Sequence, residues 1–184
     1  MDALLFLTVA ALLTRAAAKH PDLGLAAVPF AALAGTTFPD LDFTLGLAHR
    51  SGLTHSALPA LLALYRPSWR PVAIGLALGL GLHLSADTFP NAMRGLATVK
   101  LPGEGSIGAT ASHFWLGGNA LACLALGAVL LARFTDRHRA ALVLGAVAVL
   151  GVGYLWATDG GWPALLIFSG TGVALVRRRL TPPR

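Results

Sequence analysis

The segment VAIGLALGLGLHLSADTF, Val72–Phe89, decides the fold. From Val72 to Leu82 it holds no polar side chain, and as a helix the whole segment is about 27 Å long, close to the ~30 Å hydrocarbon core of a bilayer. It therefore reads as a membrane span. Gly75, Gly79 and Gly81 give it a small-residue face on which another helix can approach closely. Near its end stand His83 and Asp87, which a helix stacks on one face a turn apart. Ionisable groups are expensive inside a membrane helix, so the pair either lines a functional cavity or is a helix-end pair bonded to nearby backbone.

Outward from this segment the chain keeps the same character. It is 55% hydrophobic and 12% charged, with a mean hydropathy of +0.69, against roughly 25% charged residues in soluble domains. The apolar runs are Ala3–Ala18, Leu23–Thr37, Ala57–Tyr65, Val72–Phe89, Phe114–Leu131, Ala140–Thr158 and Trp162–Val176. The expected fold is all-α: a polytopic transmembrane bundle of six to seven hydrophobic helices, some short or re-entrant. Residues 1–184 form one integral membrane domain, with a motif-bearing half (1–90), an extracytoplasmic loop (91–112) and C-terminal helices (113–184). The first run lacks a preceding basic residue and reads as a retained helix, not a cleavable signal. Trp69, Trp115, Trp156 and Trp162 lie near segment ends, as an aromatic belt places them.

Polar chemistry concentrates in FPDLDF (Phe38–Phe43) and AHRSGLTHS (Ala48–Ser56). The chain has seven Asp, one Glu and six His, and Asp40, Asp42, His49 and His55 fall within sixteen positions. Carboxylate oxygen and imidazole nitrogen are ligands for zinc and similar divalent ions. The competing reading is a polar loop in which Pro39 stops a helix and Asp and Ser form turns. A single cysteine, Cys123, leaves any metal to oxygen and nitrogen donors. Thr54 is the simpler N-cap for the segment that follows, and His113 reads as a helix-start histidine.

If every segment spans, eleven of the fourteen basic residues collect on one face, and only Arg50, Arg94 and Lys100 on the other. The positive-inside rule then puts the protein in the cell membrane with a cytoplasmic C-terminus. FPDLDF, AHRSGLTHS and the Asp87 end of the fourth segment share the outward face, while His20 and His138 do not. Despite the net charge of +6, basic residues at segment ends signal topology and membrane-lipid contact, with no nucleic-acid partner implied. Nothing in the sequence sets the oligomeric state.

With these residues in order, the chain resembles the YdjM-type family of predicted membrane-bound metal-dependent hydrolases. The family pattern is PDxD closing an early helix, an HRG-x-THS-like segment, and H-x-x-x-D near the end of a later helix. Here they read FPDLDF, HRSGLTHS and HLSAD, over about the first half of the chain. The second motif is one residue longer than the family's. Asp2 stands where a histidine is common near the first helix, and Asn119 is the nearest match to a further acidic residue.

The resemblance implies Asp40, Asp42, His49, His55, His83 and Asp87 as metal-site residues. Asp42, His55, His83 and Asp87 are the expected direct ligands of one or two divalent ions, zinc first. It also implies that a residue left unligated, Asp40 or His49, accepts a proton from water. Arg50 either suits an anionic oxygen of a phosphoester or phospholipid headgroup or is a plain interfacial arginine. The leading expectation is thus a metal-dependent hydrolase acting on a phosphoester or phospholipid at the extracytoplasmic face. The alternatives are a non-enzymatic metal-binding or ion-translocating membrane protein, and a membrane scaffold.

Overall fold

An apolar chain satisfies its backbone N–H and C=O groups most completely by coiling into helices, and proline, glycine and charge decide where each one stops. The computed structural model describes residues 2–90, 92–158, 162–163, 165–167 and 169–170. The helices are α1 (Asp2–Ala16), α2 (Asp22–Thr37), α3 (Leu58–Leu64), α4 (Arg70–Thr88), α5 (Ala109–Phe134) and α6 (Arg137–Thr158). Short 3-10 turns lie at Pro39–Asp42, Pro67–Trp69 and Gly95–Ala97. The only strands among the described residues, β1 (Lys100–Leu101) and β2 (Gly105–Ser106), form a small antiparallel hairpin. Residues 162–163, 165–167 and 169–170 are helical, and the rest of the seventh expected segment lies outside the described residues.

Helix α4 is the axis of the molecule. Every residue in it except Arg70, Ala86 and Asp87 is buried. Its glycines explain how. A methyl group at Gly75 or Gly79 would run into the α2 backbone, at the carbonyls of Val28 and Ala32 respectively, and a methyl group at Gly35 of α2 would in turn come within 2.9 Å of the Gly79 Cα. Gly81 points elsewhere: it receives Leu124 of α5, while Gly127 of α5 receives Leu78 of α4. The three glycines therefore serve two neighbours, not the single face that their spacing suggests. Leu82 fills the space beside Gly151 of α6 in the same way.

Three helical stretches are long and apolar enough to cross a membrane: Pro67–Thr88, Ala109–Phe134 and Arg137–Thr158. Helices α1 and α2 are apolar but shorter, about 22 and 24 Å. The third expected segment does not span as a helix. Only the seven residues of α3 coil, about 10 Å, because the preceding residues are drawn into the polar loop described below and Pro67 begins a new turn.

The loop after α4 is also shorter than expected. Helix α5 starts at Ala109, where Gly108 takes a positive φ of 81° and the Ser112 hydroxyl donates back to the Gly108 carbonyl. That hydroxyl also accepts the Val99 N–H, tying the loop to the helix. The far ends of the helices gather together: Arg139 of α6 pairs with Asp22 of α2 at 3.0 Å, and Gly24 lies against Phe134 and Pro71. Arg15, Lys19, Arg66, Arg70, Arg133 and Arg137 flank this same end of the helices, opposite the polar loops.

Candidate metal centre

Three segments meet at the other end: the turn after α2, the loop before α3, and the last turn of α4. Phe38 still bonds to the Ala34 carbonyl, and Pro39 then opens a 3-10 turn that turns Asp42 inward and leaves Asp40 exposed. Asp42 is fully buried. Its carboxylate accepts the Ser51 N–H at 3.1 Å and the Thr54 hydroxyl, and lies 3.4 Å from His55 Nδ1. A buried carboxylate needs such donors, and here one short loop supplies them all.

The loop is held in an uncommon conformation. Arg50 has a φ of 56°, sparsely populated for a residue with a side chain. Its carbonyl accepts the Lys100 N–H while the Gly52 N–H donates to the Lys100 carbonyl, so both sides of the bend are pinned to β1. Ser51 and Gly52 each have a task in this bend: Ser51 serves Asp42, and Gly52 passes close beneath Leu101 and Trp115. Trp115 of α5 donates its indole N–H to the His55 carbonyl at 2.8 Å, and Asn119 accepts the Ala57 N–H at 2.9 Å.

His83 sits on α4 with 4% exposure. Its Nδ1 lies 2.8 Å from the Thr36 carbonyl and 3.0 Å from the Tyr154 hydroxyl. Because a carbonyl can only accept, Nδ1 carries the proton, and in the neutral imidazole Nε2 then presents the lone pair. His55 is arranged in the same sense: its Nδ1 lies 3.2 Å from the Thr54 hydroxyl, which itself donates to Asp42, and 3.4 Å from the Asp42 carboxylate. Both Nε2 atoms are buried and have no hydrogen-bond partner, and each lies 3.4 Å from the same atom, Oδ2 of Asp87. The other oxygen of Asp87 accepts from Arg50 Nη2 at 2.7 Å, and Arg50 Nη1 donates to the Ala97 carbonyl at 2.6 Å.

The donor set fits a divalent ion. Ligands about 2.0–2.1 Å from a tetrahedral zinc stand roughly 3.3–3.4 Å from one another, and the two His–Asp87 separations have that length. The ligand atoms of His55, His83 and Asp87 all lie within 4.8 Å of one another, so this group can hold one metal ion. Buried imidazoles fixed through Nδ1 by a carboxylate and a carbonyl are the outer support that metal-binding histidines use.

Of the six residues expected at a metal, the structure brings these three together. Asp42 stands behind His55 and orients it, with its own oxygens already engaged. Asp40 is exposed on the turn, outside the group. His49 is also outside, stacked on Phe43 with ring centroids 5.4 Å apart, and its Nδ1 is buried without a partner. Its pKa lies below the ordinary value, through burial first and the neighbouring Arg50 charge second. Arg50 is an ion-pair partner of Asp87. Thr54 does not cap α3; its hydroxyl goes to Asp42, and Ser56 accepts the Leu58 N–H instead. His113 contacts the Thr88 carbonyl at 2.7 Å, at the end of α4.

Sequence reasoning missed the Thr36 and Ala97 carbonyls, which leave no trace in residue type. It also missed Tyr154, whose lone phenol in an apolar helix was the available signal, and it placed Trp115 in an interfacial belt when its indole reaches inward. Comparison of the chain with protein-family models, with curated proteins and with solved structures gives no match, so the reading of this centre rests on its own side chains.

Proposed function

We propose that the protein is a membrane-bound metal-dependent hydrolase, in which His55, His83 and Asp87 hold one divalent ion, zinc first, and the substrate is a phosphoester such as a phospholipid headgroup. The observation that carries this reading is the pair of unpartnered Nε2 atoms converging at 3.4 Å on one carboxylate oxygen. A set of three protein donors is what catalytic zinc uses, whereas structural zinc is closed by four.

An ion bound there supplies Lewis acidity toward a phosphoryl oxygen and lowers the pKa of a water. The chain's own residues do the rest. Arg50 fixes Asp87 so that Oδ2, not Oδ1, faces the histidines. Asp42 and Thr36 hold the two imidazoles in the tautomer that offers Nε2. His49, whose pKa is lowered by burial and by the Arg50 charge, is a candidate proton acceptor. The Arg50 and Lys100 charges act on His49 and on each other, and such a field favours an anionic substrate over a neutral amide. Asp40, exposed beside this group, is a second candidate proton acceptor.

The test is metal analysis of detergent-purified protein together with turnover of a phosphoester lipid by metal-stripped and metal-restored samples. Wild type should hold a single ion and hydrolyse only when loaded. His55→Ala, His83→Ala and Asp87→Ala should each lose both properties, while His138→Ala keeps them. Full metal content in all three variants would remove the site. Metal without turnover of any ester would favour the non-enzymatic metal-binding or ion-translocating alternative.

A further inference from the structure

The loops around the metal centre, and the start of α5 beside them, carry large apolar side chains on their outer surface. Phe43 is 70% exposed, Leu45 56%, Phe89 56%, Leu96 70% and Phe114 78%. Three of them adjoin residues of the centre, and a fourth, Phe114, adjoins His113 at the start of α5. Phe43 stacks on His49 beside Arg50, Phe89 follows Asp87 by two residues and lies against His113, and Leu96 precedes the Ala97 carbonyl that holds Arg50. Exposed leucines along a span need no explanation, but loops that face water seldom display such residues together.

Length decides where these loops lie. Counting from Arg70, at the basic end, a 1.5 Å rise puts His83 about 20 Å and Asp87 about 26 Å along α4. Helix α2 delivers the chain to FPDLDF after about 24 Å. All three distances fall short of a ~30 Å hydrocarbon core, and helix tilt only shortens them. Exposed Arg94, next to the Leu96 turn, completes the mixture of apolar and basic residues that suits the headgroup boundary.

We infer that the rim of Phe43, Leu45, Phe89, Leu96 and Phe114 is immersed at the headgroup–acyl boundary, so that the centre takes its substrate sideways from the bilayer as a membrane-resident, phosphate-bearing lipid and not from water. The one ligand with appreciable exposure, Asp87 at 19%, is then the point of contact. This deepens the substrate assignment made above and rests on it, whereas the immersion of the rim does not.

The experiment uses full-length protein in vesicles of phosphatidylcholine and phosphatidylglycerol, with Cys123→Ala and one new cysteine at Leu45, Leu96 or Gly103 carrying an environment-sensitive fluorophore. Gly103, at the turn of the hairpin, is the reference for water. Probes at Leu45 and Leu96 should emit to the blue of the Gly103 probe, be quenched by spin-labelled lipid and resist aqueous iodide. Iodide quenching equal to that at Gly103 would overturn the inference. Resistance to both quenchers would also overturn it, in favour of a second protein surface covering the rim. Leu96→Ser should keep its metal and its turnover of a water-soluble phosphoester while losing turnover of the vesicle lipid, and equal loss on both would count against lateral entry. If wild type hydrolyses neither, the hydrolase reading fails, while the fluorophore result still decides immersion.

Discussion

Asp42 and Asp87 are both carboxylates at the centre, and their neighbours give them opposite tasks. Asp42 spends its oxygens on Ser51, Thr54 and His55, all within the protein, whereas Asp87 keeps Oδ2 between two lone pairs. Asp42→Asn should therefore retain a metal site but weaken it by about 10–100-fold, the usual effect of removing the group behind a ligand histidine. Asp87→Asn should lose the metal under conditions that saturate Asp42→Asn. Competition with a chromophoric chelator separates the two, and equal loss in both would mean that Asp42 is itself a ligand. An Asp-x-Asp motif offers two carboxylates without saying which turns inward. Only the Asp42 contacts with a loop nine to thirteen residues later settle that, and such contacts are tertiary. His83 and Asp87 were legible because one helical turn relates them directly. His49 supplies a pH prediction. Its folded pKa is depressed, so the stability it contributes is present above its unfolded value of about 6.5 and is lost as pH falls through the lowered folded value. Selective imidazole NMR should find the His49 midpoint below 6.5, with Lys100→Gln raising it slightly; a midpoint at or above 6.5 would contradict the burial seen here.

At the scale of elements, the bundle depends on how closely α2 and α5 approach α4. Gly75→Ala should separate α2 from α4, because the added methyl meets the Val28 carbonyl and the Ala31 side chain, and neither can retreat cheaply. Overpacking of this kind costs about 1–3 kcal/mol. Gly118→Ala on α5, where nothing lies within 4 Å of the added carbon, should gain about 0.5–1 kcal/mol through helix propensity. Unfolding of both variants in mixed micelles tests the contrast, and equal behaviour would refute the close α2–α4 crossing. The sequence announced these glycines but not their division between partners, since Gly75 and Gly79 share a face with each other and not with Gly81. It announced α4 itself because a long, unbroken apolar run satisfies its backbone most completely as a helix. Helix α3 was less legible. Leu53–Ser56 could extend an apolar helix by composition, yet these residues are spent on Asp42 and on the approach of His55 to α4.

For the whole molecule, the division of basic residues bears on orientation. Of the basic residues described, Arg15, Lys19, Arg66, Arg70, Arg133, Arg137 and Arg139 belong to one end, and Arg50, Arg94 and Lys100 to the other. Arg177, Arg178, Arg179 and Arg184 lie outside the described residues. Two of the three exceptions are held by specific bonds: Arg50 by Asp87 and the Ala97 carbonyl, and Lys100 by the carbonyls of Gly95 and Leu96. Arg50 is thereby committed to the centre, and Lys100 to the turn beside it. By the positive-inside rule, a seven-to-three division among the described residues favours the seven-residue end in the cytoplasm. Ser51, next to Arg50, is a poor reporter of this because it is buried with its N–H on Asp42. Gly103 and Arg137 are exposed and lie at opposite ends. With Cys123→Ala, a cysteine at Gly103 should react with a membrane-impermeant thiol reagent in intact cells, and a cysteine at Arg137 only after permeabilisation. The reverse pattern would turn the centre toward the cytoplasm without altering its ligands, because His55, His83 and Asp87 meet at one end whichever way that end faces.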